Sequence, residues 1–600
     1  MNFERVKFDV VIIGAGGAGL RAAIEAVADG DLKVAVVCKS LLGKAHTVMA
    51  EGGMAAALNN MEGEDSWEMH FRDTMKGGKM VNNWKMAEIH AKEAPERVRE
   101  LERFGAVFDR TGDGEIHQRP FGGHSFARLA HVGDRTGLEL IRTLQDKVVH
   151  ENVEVFMEYT VVKLFRNGER VTGALCYHRH DGKFVMFEAK AIILATGGCA
   201  QVWRVQTNSW EGTGDGHALA YEVGADLIDM EFMQFHPTGM VWPLSVAGIL
   251  VTEGVRGEGG VLKNSEGERF MFNYIPEAFK NDVADTVEEA DRWVAGATED
   301  NRKPPELLTR DEVARAIRSE VKAGRGSAHG GAYLDIACAK SADYIKRALP
   351  SMYHQFKELA GVDITKEPME VGPTAHYVMG GVRVDGETCE STVSGLFACG
   401  EVAAGLHGAN RLGGNSLTDL LVFGRRAGLY AAKFARGCGN VAVLDEEVCA
   451  AIEVARAPLA RSGGENPFAL VNELKEIMGE HCGMIRDEDS LKAGLLALEA
   501  LKKRAASASV GGDDAMNSGW HACLSLQCML VVAEAMMRSA LLRRESRGAH
   551  TRDDYPNYDE RLSRLTMLVR RAEADEMDVL ENALPEMPED FKNIIKKLDA

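Results

Sequence analysis

Six hundred residues are too many for one hydrophobic core, so about two to four domains are expected, and a 45% hydrophobic content is ample to fill them. A net charge of −20 excludes a nucleic-acid partner except at a local basic patch, since phosphates would be repelled, and it obliges any anionic substrate to meet a deliberately cationic pocket. No apolar run approaches the roughly 20 residues of a spanning helix, and the chain enters its first strand without a signal-peptide pattern. A cytosolic protein is expected, with any membrane attachment made through partners.

The chain opens with FDVVIIGAGGAGLRAAIEA. Phe8 to Ile13 read as a buried parallel strand, and Gly14, Gly16 and Gly19 form the G-x-G-x-x-G spacing that lets a pyrophosphate approach the backbone at a helix N-terminus. The strand before and the Ala-rich helix after make this match far stronger than the glycines alone. A second strand, Lys33 to Cys38, should end at the ribose-binding position. A generic dinucleotide site has Asp or Glu there, whereas Lys39 and Ser40 stand here. A lysine could instead meet a 2′-phosphate, which leaves NADP open at this point. His46, in GKAHTVMAEGG, follows the fingerprint at a distance where a flavin ring could meet it, pointing to a covalently attached flavin.

Strand and helix signals alternate to about residue 240, with a helical, charged insertion near Ser66 to Arg103. AIILATGG, Ala191 to Gly198, reads as a buried strand ending in a Gly pair and resembles the return strand of many two-dinucleotide-fold flavoproteins. From about Val241 to Glu370 the periodicity is mixed α+β, as in an inserted domain. Gly395 to Gly428 then returns to strand, Gly-rich loop and helix, so the first domain is expected to be discontinuous. From Ala431 to Leu542 apolar residues recur at helical spacing, best at Leu524, Cys528, Val531, Ala535 and Leu542, which predicts a helical bundle. The tail after Arg543 has few strong periodic elements, and no internal repeat is visible. The eleven cysteines contain no C-x-x-C pair. They read as scattered reduced thiols, which argues against a zinc site or iron–sulfur cluster in this chain and assigns any single-electron relay to another subunit.

Several polar clusters interrupt the apolar and Gly-rich text: FHPTG with His236 and Thr238, TEGVRGEGG with Thr252, Glu253 and Arg256, LTRDEVARA with Arg310, PTAHYVMGG with His376, and HGANRLGGNS with His407 and Arg411. Each alone has a structural explanation, a hydrogen-bonded turn or a solvated charge. Together, beside a flavin motif, they point to a site.

With these motifs in order, from GAGGAG through HTVMAEGG, GTGDG, QFHPTG, TEGVRGEGG, PTAHYVMGG and HGANRLGGNSL to RRESRGAHTRDDYP, the chain closely resembles the flavoprotein subunit of the succinate dehydrogenase and fumarate reductase family, respiratory complex II. The resemblance covers nearly the whole length. It implies an α/β fold: a discontinuous FAD-binding Rossmann-like domain (residues 1–240 and 371–430) with an inserted α+β capping domain (241–370), a helical domain (431–545) and a C-terminal α+β tail (546–600). It implies FAD bonded through its 8α carbon to His46, in a site lined by Gly14, Gly16, Gly17, Gly19, Lys39, Gly53, Asp215, Glu401, Ser416 and Leu417, which removes the NADP argument. His236, Thr252, His376 and Arg411 are implied as grips on the substrate carboxylates, Arg310 as the proton-transfer residue, and Glu253 and Arg256 as its relay. The implied partners are membrane anchors holding a quinone, together with an iron–sulfur subunit, and the chain is expected to be peripheral on the cytoplasmic side of the inner membrane.

The chemistry suits that division. Burying a four-carbon dianion is costly without charged donors at both ends, and twisting one carboxylate out of the double bond's plane makes the alkene accept hydride at one carbon and a proton at its neighbour. A substituent at 8α withdraws electron density and should raise the flavin potential, as oxidation of an unactivated CH₂–CH₂ demands. Rival readings are L-aspartate oxidase, which generally lacks the linking histidine, a soluble fumarate reductase fed by thiols or another small donor, and a flavin-binding assembly or sensor protein with a vestigial pocket.

Overall fold

Strand β1 (Glu4–Ile13) is buried on both faces from Val10 to Ile13, as a central parallel strand requires. It pairs parallel with β2 (Val34–Cys38) on one side and with β6 (Phe184–Leu194) on the other. The sheet continues outward to β3 (Glu154–Met157) beyond β2, and to β5 (Arg170–His178) and β4 (Tyr159–Asn167) beyond β6. One edge of β6 is used twice. Its first half, at Phe184 to Glu188, pairs antiparallel with β5, and its second half, at Ile192 to Leu194, pairs parallel with Leu396–Ala398. A segment from much later in the chain thereby completes the first domain, which is discontinuous. In this computed structural model residues 3–61, 64–439, 441–572 and 576–599 are described.

Helix α1 (Gly17–Ala26) follows β1 and packs against the helix Asn415–Arg436. A Cβ on Gly424 would lie 2.7 Å from the Ala18 carbonyl oxygen, and one on Gly428 2.3 Å from that of Ala22. Only glycine allows the two backbones to approach this closely. The predicted charged insertion is a pair of helices, Trp67–Gly77 and Trp84–Arg103.

The inserted domain has its own antiparallel sheet, in the order Met233–Met240, Met369–Val378, Ala332–Asp335, Val261–Lys263. Its apolar cluster is separate from the main one and runs from Met240 to Val371. The strands by which the chain enters and leaves the insertion pair with each other. His236 and His376, one on each, are thus fixed at the base of the cap.

Four helices follow: Asp445–Ala460, Pro467–His481, Glu488–Ala505 and Ser518–Leu542. The last corrects two expectations. It is long and apolar enough to cross a membrane by composition, with a mean hydropathy of 1.3, although 56% of that window is buried inside the protein. Nor is its core face the single stripe read from Leu524, Cys528, Val531, Ala535 and Leu542; of these only Ala535 is fully buried, while Leu526, Met529, Val532, Met536 and Met537 are buried as well. A helix apolar nearly all round is the central element of a bundle, and such a helix has no one stripe.

The tail is more ordered than its sequence predicts. Leu565–Arg571 and Met577–Ala583 form a hairpin that pairs through the first strand with Leu227–Ile228 of the FAD domain, and Glu589–Asp599 is a helix. The second strand is mostly exposed, so it carries no apolar alternation to read. The charged segment before it is a buried ion-pair web. Arg543, fully buried, donates from Nε to Glu231 at 2.5 Å and from Nη1 to Glu545 at 3.0 Å, and Arg547 meets both oxygens of Glu545 at 2.8 Å. Removing one partner of such a web strands the rest. Glu545→Ala is therefore expected to cost about 3–5 kcal/mol, read as a lower denaturation midpoint; an unchanged midpoint would mean that the web contributes nothing to holding the tail.

Candidate active site

One continuous cavity runs from the glycine fingerprint to the base of the cap. At its first end Gly14 has φ +116°, and a Cβ there would lie 2.1 Å from the Ala195 carbonyl oxygen. Gly16 caps α1 without any side-chain hydrogen bond, the Gly17 N–H meets Thr47 Oγ1 at 3.3 Å, and both glycines line the cavity. Such a terminus suits a diphosphate. Gly19 faces away from the cavity: its Cβ would lie 1.9 Å from the Gly14 carbonyl oxygen, so it serves the turn and the strand–helix packing. Lys39, at the end of β2, donates to Asp215 Oδ2 at 2.9 Å and to Thr213 at 2.8 Å, and both Lys39 and Asp215 line the cavity. Gly53, with φ +130°, Glu401, Ser416 and Leu417 line it further along. Ser416 and Leu417 lie in the first turn of the helix Asn415–Arg436, whose N-cap, Gly414, again supplies no side-chain bond. Two helix starts without side-chain caps and a glycine-walled turn, set along an elongated cavity, are what FAD, with its diphosphate and polar ring edge, would need.

His46 lies between the two ends. Its Nδ1 accepts a 3.2 Å hydrogen bond from the backbone N–H of Ser209, which leaves Nε2 for the cavity. Burial pushes the imidazole down to about 4, the charge of Glu211 opposing and that of Arg411 assisting, so the ring is neutral near pH 7.

At the far end the guanidinium groups of Arg310 and Arg411 converge. Both donate to Gln234 Oε1, each at 3.2 Å, and Gln234 in turn donates to Asn410 Oδ1 and the Arg411 carbonyl, both at 2.8 Å. Arg310 Nε also donates to Glu253 Oε2 at 2.8 Å, and the other oxygen of Glu253 accepts from Gly122 N–H at 2.7 Å. Behind Glu253 lies Arg256, fully buried and 3.6 Å away, outside the cavity lining and bonded to the Glu306 carbonyl. Burial raises the Glu253 carboxyl, but Arg256 and Arg310 outweigh it and hold Glu253 below its ordinary range. Burial and the like charge of Arg310 push Arg411 down to about 9. Two guanidinium groups lining the cavity, with a third behind Glu253, thus surround a carboxylate held ionised, a local concentration of positive charge suited to an anion.

Neutral donors complete this end. His236 Nδ1 lies 2.9 Å from the Thr238 carbonyl oxygen and 3.2 Å from its N–H, and in the tautomer whose Nδ1 accepts that N–H, Nε2 is the donor. His376 Nδ1 is engaged by Thr207 Oγ1 at 2.7 Å. Burial first, then the surrounding arginines, hold both rings well below the usual histidine range. Thr252 lines the same wall.

Of the residues singled out in the sequence, all those assigned to cofactor or substrate line this cavity except Gly19, and the relay residue Arg256 lies behind it. Thr238 and His407 do not reach it: Thr238 bonds the Val251 carbonyl at 2.8 Å, and His407 is buried 3.9 Å from Asp419. Sequence reasoning passed over Gln234, Thr207, Ser209 and Glu211. Gln234 had a usable signal, standing two residues before His236 on one strand, where alternate residues share a face. Thr207 and Ser209 act through bonds to histidines 169 and 163 residues away, which no local pattern encodes.

A nucleotide-binding turn, a neutral imidazole at mid-cavity and a cationic clamp are the features of a flavin-dependent oxidoreductase. Comparison with known proteins places it more narrowly. Residues 9–417 match the FAD binding domain family and residues 471–592 the fumarate reductase flavoprotein C-term family. The chain is 43% identical over 576 residues to a fumarate reductase (CoM/CoB) subunit of Methanothermobacter marburgensis, covering 96% of this chain and 99% of that one. It is 36% identical over 581 residues to the succinate dehydrogenase flavoprotein subunit of Rickettsia bellii, covering 93% and 92%. Among solved structures, Mycobacterium smegmatis Sdh1 in complex with UQ1 matches with a TM-score of 0.85 and 53% identity, covering 98% and 96%. The chain belongs to the succinate dehydrogenase/fumarate reductase flavoprotein family, and it is an FAD-binding oxidoreductase.

Gln234→Leu keeps the volume but removes the oxygen shared by the two guanidinium groups. Dicarboxylate affinity is expected to fall about tenfold, the cost of one charge-assisted hydrogen bond, in a titration of the flavin spectrum; wild-type affinity would show that Arg310 and Arg411 hold their places without it.

Proposed function

We propose that the protein interconverts succinate and fumarate, with electrons passing between its flavin and a membrane quinone through an iron–sulfur subunit. The observation that carries this reading is the cationic surplus at Arg310 and Arg411, oriented by Gln234 and Glu253 at the end of a flavin cavity. Bound FAD, held by the glycine turn, Lys39, Asp215, Glu401, Ser416 and Leu417 and bonded to His46, supplies two-electron exchange with the substrate carbons.

The chain's own residues do the rest. Arg411 grips one carboxylate bidentately, and Nε2 of His236 and His376 with the Thr252 hydroxyl donate to the other. Holding the ends in different planes turns one carboxylate out of conjugation. Arg310 then carries the proton that goes to, or comes from, the carbon next to the one exchanging hydride. A guanidinium gives up a proton reluctantly, so the loss has to be transient. Glu253, 2.8 Å from Arg310 Nε, is placed to restore it by accepting a proton from Arg256 behind it and handing it on, which extends the route away from the cavity. Because every residue acts equally in both directions, the clamp favours neither oxidation nor reduction.

The neutral His46 with a free Nε2 suits covalent attachment and disfavours the L-aspartate oxidase reading. Leu41 and Met49, exposed and also part of the cavity wall, form an apolar mouth beside it through which a partner could approach the flavin. The chain would then sit peripherally on the cytoplasmic side of the inner membrane, held by its iron–sulfur and anchor subunits. The 53% identity to a structure with UQ1 supports a quinone. A thiol-fed fumarate reductase is the second reading, favoured by the 43% identity to the CoM/CoB enzyme's subunit.

Arg310→Ala is expected to lower turnover about 10²–10⁴-fold while FAD stays bound and dicarboxylate binds more weakly for want of one charge; wild-type rates at saturating substrate would remove Arg310 from proton transfer. Succinate:quinone and quinol:fumarate activity of the isolated membrane complex, against fumarate reduction with thiols alone, separates the two donors. Activity only with thiols would overturn the quinone reading.

A further inference from the structure

Ser209 does more than position His46. With Nδ1 accepting from the Ser209 N–H, the proton of the neutral ring stands on Nε2, the nitrogen that faces the cavity. Bonding Nε2 to carbon requires that this proton leave. Arg411, the other charged group acting on the ring, is a cation and cannot take it.

Glu211 is the group placed to do so. It lies two residues beyond Ser209 in a tight turn, closed by Gly212 N–H to the Ser209 carbonyl at 3.1 Å and Thr213 N–H to the Glu211 carbonyl at 2.8 Å. It shares the cavity wall with His46 and Ser209. Its Oε2 is buried without a hydrogen-bond partner, an acceptor left open in the wall it shares with the imidazole. Glu211 also exerts the largest charge interaction on His46, in the sense that favours a proton there.

We infer that Glu211 is the base that accepts the Nε2 proton of His46 as the imidazole becomes bonded to the flavin's 8α carbon. The inference rests on the covalent reading of His46 proposed above. One C–H bond of the 8α methyl and the Nε2–H bond break, and the Nε2–C bond forms. The two electrons released remain on the ring until a two-electron acceptor, fumarate, removes them with two protons and becomes succinate. The imidazole hydrogen and one methyl hydrogen are those two protons, so the sum balances with Glu211 regenerated.

The test follows covalent flavin, not turnover. Apoprotein is mixed with FAD and fumarate, and the flavin that stays with acid-precipitated protein is measured over time. Glu211→Gln, which keeps the shape and loses the base, is expected to bind FAD but to gain covalent flavin at least tenfold more slowly, with the deficit shrinking as pH rises and solvent takes the proton. Glu211→Asp, which keeps a carboxylate, is expected to recover much of the rate. A Glu211→Gln rate equal to wild type, or Glu211→Asp as slow as Glu211→Gln, would overturn the assignment. His46→Ser separates this failure from failure of the underlying reading. It must release all its flavin into the supernatant; covalent flavin in that variant, or none in the wild type, would overturn the attachment at His46 itself.

Discussion

The structure depends on keeping buried guanidinium groups charged and converging without neutralising them. An isolated charge in a protein interior is costly, and two arginines on a cavity wall with a third behind it would repel one another and drift apart. Glu253 supplies one counter-charge, and Gln234 supplies an oxygen that two guanidinium groups share. What remains unbalanced is the site's affinity for an anion. The protein as a whole is strongly negative, so this local surplus must be held by specific bonds.

Those bonds come from distant parts of the fold. Gln234 and His236 lie on one cap-base strand and His376 on its partner, Arg310 opens a helix of the cap, and Arg411 belongs to the returning loop of the FAD domain. The double use of β6, pairing with an early strand and a late one, brings that returning loop beside the glycine turn. The insertion is anchored by the pairing of its entry and exit strands, so cap and nucleotide-binding turn share one cavity. The tail's ion-pair web reaches the same region, with Glu231 only three residues before Gln234.

Much of this was legible in the sequence because the determining features are local. The glycine fingerprint, the apolar run of β1 and the return at Gly395 each carry their own spacing. Candidate site residues were legible as polar interruptions in Gly-rich text. What was not legible has a common cause. The tail hairpin has an exposed strand and hence no alternation, and the central bundle helix is apolar on nearly all sides and hence resembles a spanning one. Thr207, Ser209 and Glu211 matter through contacts that only the folded chain creates. Gln234 could have been read from its spacing to His236, but an amide among histidines and arginines draws no attention until both guanidinium groups are seen to point at it.

The central claim is that a cationic surplus selects a substrate with two carboxylates. The most direct measurement is the affinity of the flavin-loaded protein for succinate and for butyrate, which has the same carbon chain and one carboxylate fewer, followed by flavin absorbance at low and high salt. The account predicts that loss of one carboxylate costs at least about 2 kcal/mol, roughly thirtyfold in affinity. Equal binding of the two acids would contradict it.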